Sequence, residues 1–225
     1  MRIGVFGGSF DPVHMGHLIV AECCREQAGL DQVLFLPAAV SPFKQESPPA
    51  DGRQRLEMLA LATGGHPAFA VSPEEIDRGG TSYTAETLER LGAVHASDEL
   101  LLILGPDSLR SLPEWRNPER ILTAARLLAV ERIGIDDLAA ITREPKLAGL
   151  LGPDAALQLV ETRAICPAID IRSSDLRASI ASGKSIRYRT PRAVELYIAT
   201  HGLYRQSGER ESEKVVLDHS GQPGS

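Results

Sequence analysis

Cysteine is scarce, with three residues (Cys23, Cys24, Cys166) in 225, an odd set without CxxC spacing. That excludes a disulfide framework and points to reduced thiols in the cytosol. Neither a secretory signal pattern nor a membrane-length apolar run occurs, so the expected setting is cytoplasmic, with no membrane partner. No basic block offsets the formal charge of −6, which argues against nucleic acid as a partner. An anionic substrate must then be held by a few local cations. Aromatic residues make up only 4% of the chain, and Trp115 is its single tryptophan.

The length allows one substantial core, and a hydrophobic content of 43% is ordinary for a globular protein. Helical patterns at 15–28, 53–63 and 84–94 alternate with short apolar runs at 32–36, 69–71, 100–104 and 126–130. Another helix is expected at 118–125, opened by Asn117 as N-cap and Pro118 at the first helical position. Residues 134–160 read as an insertion of one or two helices, and Ile169-Asp170-Ile171 as a last strand. Ser173 or Ser174 is expected to cap a helix through Ala181, and 191–201 reads as the final helix. This alternation predicts an α/β, Rossmann-like, doubly wound, mostly parallel sheet. Helices should cover both faces, with a small helical C-terminal part over 172–205. One domain over 1–205 is expected, followed by a polar, disordered tail at 206–225. Self-association into a homo-oligomer is left open.

The chain is organised around Gly7-Gly8-Ser9-Phe10-Asp11-Pro12-Val13-His14-Met15-Gly16-His17, which follows the apolar run Ile3–Phe6. A buried strand, a glycine turn and an amphipathic segment bring backbone N–H groups and a helix start to one point, which suits phosphate. His14 and His17, three apart, share a face. They can donate hydrogen bonds to a polyphosphate. Metal ligation is the alternative, but zinc wants three or four ligands. No Cys, Glu or Asp stands in helical register with the pair, and only Asp11 lies in the loop. A metal site built by the protein is therefore not expected. The glycine spacing is not the GxGxxG of a dinucleotide-dependent oxidoreductase.

These eleven residues resemble the GxFDPxHxGH signature of nucleotidylyltransferases, and more narrowly of the bacterial nicotinate-nucleotide adenylyltransferases. The resemblance spans residues 2–205 and ends in Gly202-Leu203-Tyr204-Arg205. It implies adenylyl transfer from ATP to nicotinate mononucleotide, with Mg²⁺ accompanying ATP. Nicotinamide mononucleotide or phosphopantetheine are alternative acceptors, and a non-catalytic nucleotide-binding module is the alternative class. Such transfer needs in-line geometry and donors where charge accumulates, not a protein nucleophile.

Other motifs carry the likeness further. Lys44, in Ser41-Pro42-Phe43-Lys44, is on physical grounds a solvated loop lysine; the family's PPHK implies a cation for the polyphosphate, with Phe43 here replacing histidine. Ile171–Arg177 is similar to ISSTxxR. Ser173, Ser174 and Arg177 are then ATP contacts, a capped helix with a surface arginine being the alternative. Arg172 and Ser174 depart from the usual serine and threonine. Gly105-Pro106-Asp107-Ser108-Leu109, followed by Leu112-Pro113-Glu114-Trp115, looks like GxDSLxxxPxW.

The expected ATP contacts are accordingly Gly7, Gly8, Ser9, Phe10, His14, His17, Gly105, Asp107, Ser173, Ser174 and Arg177. His14, His17, Lys44 and Arg177 would stabilise the transition state. Ser82, Tyr83 and Thr84 precede a helix that Thr84 is expected to cap, with Thr87 at the third helical position. In the family this tripeptide lies near the nicotinate mononucleotide. Trp115 is a core residue or a platform for the pyridine ring. Arg132 matches a family arginine near the same substrate, although RPG reads Arg132-Ile133-Gly134 here.

Overall fold

A computed structural model describes residues 1–40 and 50–205. Lys44 and the expected tail at 206–225 lie outside the described residues. The order is β1 (Arg2–Gly8), α1 (Met15–Gln27), β2 (Gln32–Pro37), α2 (Gly52–Thr63), β3 (Phe69–Val71), α3 (Glu74–Arg78) and α4 (Thr84–Val94). Then come β4 (Glu99–Leu104), α5 (Pro106–Ser111), a 3₁₀ turn (Leu112–Glu114), α6 (Pro118–Ala124) and β5 (Arg126–Arg132). The remainder is α7 (Leu138–Thr142), α8 (Pro145–Glu161), β6 (Ala164–Cys166), α9 (Ser173–Ala181) and α10 (Arg192–Thr200).

The strands form one parallel sheet in the order β3-β2-β1-β4-β5-β6, with Val5 paired to Leu34 on one side and Leu102 on the other. Strand side chains alternate between two cores, since successive residues point to opposite faces. Val33, Phe35, Leu101, Ile103, Leu128 and Val130 face one core with Ala21 and Cys24 of α1, Met58 and Leu59 of α2, Leu176 of α9, and Val194 and Ile198 of α10. Ile3, Val5, Leu34, Leu36, Leu100, Leu102 and Leu104 face the other, with α4, α6, α7 and α8. Apolar runs without polar alternation are what burial on both faces requires. Chain order reverses between β1 and β4, so the carboxyl ends of these two strands bound the crevice where such folds take ligands.

At one border of the sheet, Gln27 of α1 covers β6. Its amide donates to the Ile165 carbonyl at 2.8 Å and accepts from the Ile165 N–H at 2.9 Å.

Several local expectations change. The last strand is β6, not 169–171: Pro167 has no N–H to extend the ladder, and Ile169 and Ile171 instead line a cavity. Ser173 and Ser174 do not cap α9. Extended Arg172 occupies the N-cap, so Ser173 is already helical. Likewise, extended Tyr83 is the N-cap of α4, so Thr84 is its first helical residue and Thr87 lies one position later than expected. Asn117 precedes α6 as expected, but its left-handed backbone (φ 53) goes with no side-chain cap bond. The short helix α3 was not anticipated. α8 changes direction at Gly152 (φ 74), just before Pro153.

Candidate active site

The signature loop leaves β1 and enters α1 at Met15, with His14 as an extended N-cap. The His14 N–H donates to Nδ1 of His17 at 3.2 Å, the half of a capping box in which the third helical residue reaches back. The two imidazoles stack with centroids 3.7 Å apart. Gly16 makes this packing feasible, because a Cβ there would stand 3.1 Å from His14 Nδ1. With Nδ1 of His17 accepting, a neutral ring carries its proton on Nε2. Nδ1 of His14 is buried with no hydrogen-bond partner among the described residues. Burial lowers the His14 pKa to about 4. Burial, and secondarily the charge of His14, holds His17 well below the usual histidine range. Near neutral pH both rings are therefore uncharged N–H donors.

The loop is clamped through its backbone. The Asp11 carbonyl accepts from Nη1 of Arg177 at 2.7 Å, the Pro12 carbonyl from Oγ of Ser173 at 2.9 Å, and the Val13 carbonyl from Oγ1 of Thr190 at 2.8 Å. The Met15 N–H, an orphan donor of the first helical turn, reaches the Arg189 carbonyl at 2.9 Å. Oδ1 of buried Asp11 accepts from the Tyr204 hydroxyl at 2.6 Å and from the Ala50 N–H at 3.3 Å. Burial, then the Asp11 carboxylate and its hydrogen bond, pushes the Tyr204 phenol up. Beneath the loop, the fully buried Arg55 donates to the carbonyls of Ser9 (2.9 Å) and Ala38 (2.8 Å). Sequence reading missed Arg55, Asp11, Thr190 and Tyr204 as loop supports. An arginine or a tyrosine inside an amphipathic segment carries no signal of which distant carbonyl it will meet.

Two cavities open at the switch point. The larger, about 610 Å³, is walled by Gly7, Gly8 and Ser9, by Ser82, Tyr83 and Thr84, and by Trp115. The smaller, about 240 Å³, is lined by His14, His17, Asp107 and Arg132 together with Ile169 and Ile171. Phe6, Gly105 and Ser108 line both, so the two share a wall.

Most expected site residues are thus brought to one crevice, some with altered placement. The ring of Phe10 is buried in the first core, edge-on to His17 with centroids 5.0 Å apart, and lines neither cavity. Gly8 accommodates that ring, since a Cβ would lie 3.0 Å from it. Arg132 is not beside Ser82, Tyr83, Thr84 and Trp115. It lines the smaller cavity and pairs with Asp136 through Nε (2.8 Å) and Nη2 (3.0 Å). The Asp107 side chain is 93% exposed and 3.6 Å from Arg110, so it is open to a ligand hydroxyl. Arg177, Ser173 and Ser174 line neither cavity. Ile171, two residues before α9, does, which puts the side-chain-uncapped start of that helix at the border of the smaller cavity.

Trp115 is both core and wall: Nε1 donates to Oγ of Ser111 at 3.0 Å and the ring packs on the second core while lining the larger cavity. The Ser82 hydroxyl accepts from the Ala39 N–H at 3.0 Å. Glu75, another buried wall residue, accepts from Thr87 at 2.7 Å. Burial raises its pKa, against the hydrogen bonds from Ser82 and Thr87. It was also missed, because the helix that carries it was.

Residues 5–179 match the family model described as cytidylyltransferase-like. A probable nicotinate-nucleotide adenylyltransferase of Thermomicrobium roseum is 43% identical over 208 residues, covering 91% of this chain and 92% of its own. One of Thermus thermophilus is 40% identical over 205 residues, covering 91% of this chain and 100% of its own. Among solved structures, the Plasmodium falciparum nicotinic acid mononucleotide adenylyltransferase complexed with NaAD superposes with a TM-score of 0.68 at 15% identity. That match covers 90% of this chain and 97% of the other, and at such identity it speaks for the fold.

Proposed function

The chain belongs to the cytidylyltransferase-like family and, within it, to the nicotinate-nucleotide adenylyltransferases, and from that membership we infer that it transfers the adenylyl group of ATP to nicotinate mononucleotide. The products are nicotinate adenine dinucleotide and pyrophosphate, a step of NAD biosynthesis. The observation that carries this reading in the structure is the shared wall of Phe6, Gly105 and Ser108 between the two cavities. An acceptor in the larger one and a triphosphate beside His14 and His17 meet across it.

A phosphate oxygen of the acceptor attacks the α-phosphorus of ATP as the bond from that phosphorus to the bridging oxygen breaks. Charge gathers on the departing pyrophosphate, where pre-placed donors lower the barrier. We assign this to the Nε2–H group of His17 and the imidazole N–H of His14, joined by Arg177 and by Lys44, which falls outside the described residues. Arg177 holds Asp11 through Nη1 and is assigned the polyphosphate through its other guanidinium nitrogens. Ser173 and Ser174 act through the backbone N–H groups at the start of α9. Gly105 and Asp107 are assigned the ATP side, and Ser82, Tyr83, Thr84 and Trp115 the acceptor. From its cavity, Arg132 is reassigned from the acceptor side to the ATP side.

Among the described residues, no three His, Cys, Asp or Glu side chains gather where a metal ion would fit. Mg²⁺ is proposed to enter with ATP as part of the substrate, its ligands being phosphate oxygens and water. A cytoplasmic setting is proposed from the three free cysteines. No helix among the described residues is long and apolar enough to cross a membrane.

The test is pyrophosphate release with ATP–Mg²⁺ and a panel of acceptors. Nicotinate mononucleotide should be turned over fastest. Preference for nicotinamide mononucleotide or phosphopantetheine would overturn the assignment of the acceptor. Tight ATP binding without turnover of any acceptor would overturn the assignment as an enzyme.

A further inference from the structure

We propose that the guanidinium of Arg116 is a specificity-determining group of the acceptor cavity, pairing with the ring carboxylate of nicotinate mononucleotide and so favouring this acceptor over its neutral amide analogue. The proposal rests on the acceptor reading above.

It starts from the charges on the cavity wall. Among the described residues, the larger cavity is lined by two carboxyl side chains, Glu75 and Glu114, and by one cation, Arg116. An anionic pyridine ring entering a wall of that composition is opposed by the carboxylates, and Arg116 is the described group on that wall that can offset them. The carboxylates already have partners. Glu114 pairs with Lys146 at 2.7 Å, and Glu75 accepts from Thr87 at 2.7 Å. Arg116 is held far more loosely. Its guanidinium carbon stands 4.4 Å from the centroid of the Tyr83 ring. Its ionic partner among the described residues, Glu86, is 3.9 Å away, beyond direct hydrogen-bond distance. A planar donor fork resting on an aromatic wall residue can swing to a carboxylate without breaking a strong bond.

Placement selects which anion of the acceptor it meets. Nicotinate mononucleotide carries a phosphate and a ring carboxylate. The phosphate must reach the α-phosphorus of ATP across the wall that both cavities share. Arg116 lines only the larger cavity and follows Trp115, the residue assigned to the pyridine ring. Its reach therefore falls on the ring end.

The test is steady-state kinetics on the full chain with Arg116→Gln and Arg116→Lys, at saturating ATP–Mg²⁺, for nicotinate mononucleotide and nicotinamide mononucleotide separately. Arg116→Gln should raise KM for the nicotinate acceptor by roughly tenfold, as befits a partly screened charge-assisted contact. Its kcat should stay within about twofold, and KM for the amide acceptor should not move, because only the carboxylate is lost as a partner. Arg116→Lys should recover much of the loss, and the wild-type preference should shrink at high salt. Equal changes for both acceptors, or none for either, would overturn the proposal. Failure of the acceptor reading itself shows separately, as a wild-type protein that does not prefer nicotinate mononucleotide.

Discussion

The Thr190 hydroxyl donates to the carbonyl of Val13 at 2.8 Å, joining positions 177 residues apart. Thr190 completes a series in which three consecutive loop carbonyls, of Asp11, Pro12 and Val13, each receive one side chain from the C-terminal part. The clamp fixes the approach to His14 before any ligand arrives, which is the kind of preorganisation that electrostatic catalysis relies on.

Thr190→Val keeps the shape and removes the donor, leaving the Val13 carbonyl unsatisfied. A loss of about 1–3 kcal/mol is expected for stranding a buried polar group, seen as a lower midpoint in chemical denaturation. Turnover at saturating substrates should fall as well, because the position of His14 loosens. Wild-type turnover in the variant would show that the clamp serves stability alone.

His17→Ala removes a donor assigned to the departing pyrophosphate. Turnover should drop by about two orders of magnitude, the scale for one transition-state donor, while the dissociation constant for nicotinate mononucleotide changes little. Calorimetric binding beside initial rates separates the two. Comparable losses in both would remove His17 from this role.

Gly16→Ala distinguishes packing at the site from helix stability. Alanine is favoured over glycine by about 1 kcal/mol in a helix interior and by less at Gly16, the second residue of α1, yet its Cβ would press on His14 Nδ1 at 3.1 Å. The expected variant melts no earlier than wild type but turns over at least tenfold more slowly. Unchanged turnover would mean that the imidazole stack adapts freely.

The stacked histidines also predict how stability depends on pH. His14 has a pKa of about 4 in the folded chain, against about 6.5 when unfolded. Between these values the unfolded chain binds the proton and the folded one does not, so stability falls as pH drops from about 6.5 to about 4. The slope approaches about 1.4 kcal/mol per pH unit for one such group. Above pH 7 this contribution is flat. Denaturation midpoints from pH 4.5 to 7.5 check it, and replacing both His14 and His17 with Asn should flatten the curve.

The sheet was legible because each of its central strands is an unbroken apolar run, as in Leu100–Leu104, and because α1 and α2 stop at the glycines Gly29 and Gly64. The crevice was legible because its glycines, histidines and Trp115 form contiguous motifs. What escaped was of a different physical kind. Helix starts at Ser173 and Thr84 shifted because backbone extension at Arg172 and Tyr83, not the hydroxyl itself, decides where a helix begins. Arg132, matched to the acceptor by likeness, stands at the end of β5, where it lines the smaller cavity and pairs with Asp136, a partner that the likeness does not indicate. Arg55 and Asp11 are polar groups whose partners are carbonyls and N–H groups of distant segments, and no local pattern encodes such pairs.

Gln27 has a consequence for the molecule among its copies. By meeting both the N–H and the carbonyl of Ile165, its carboxamide imitates the strand that would otherwise add to this end of the sheet. A foreign extended segment must evict it before zipping on, and then finds only a three-residue ladder to extend. One neutral side chain thereby guards against edge-to-edge polymerisation where exposed Ile165 would invite it.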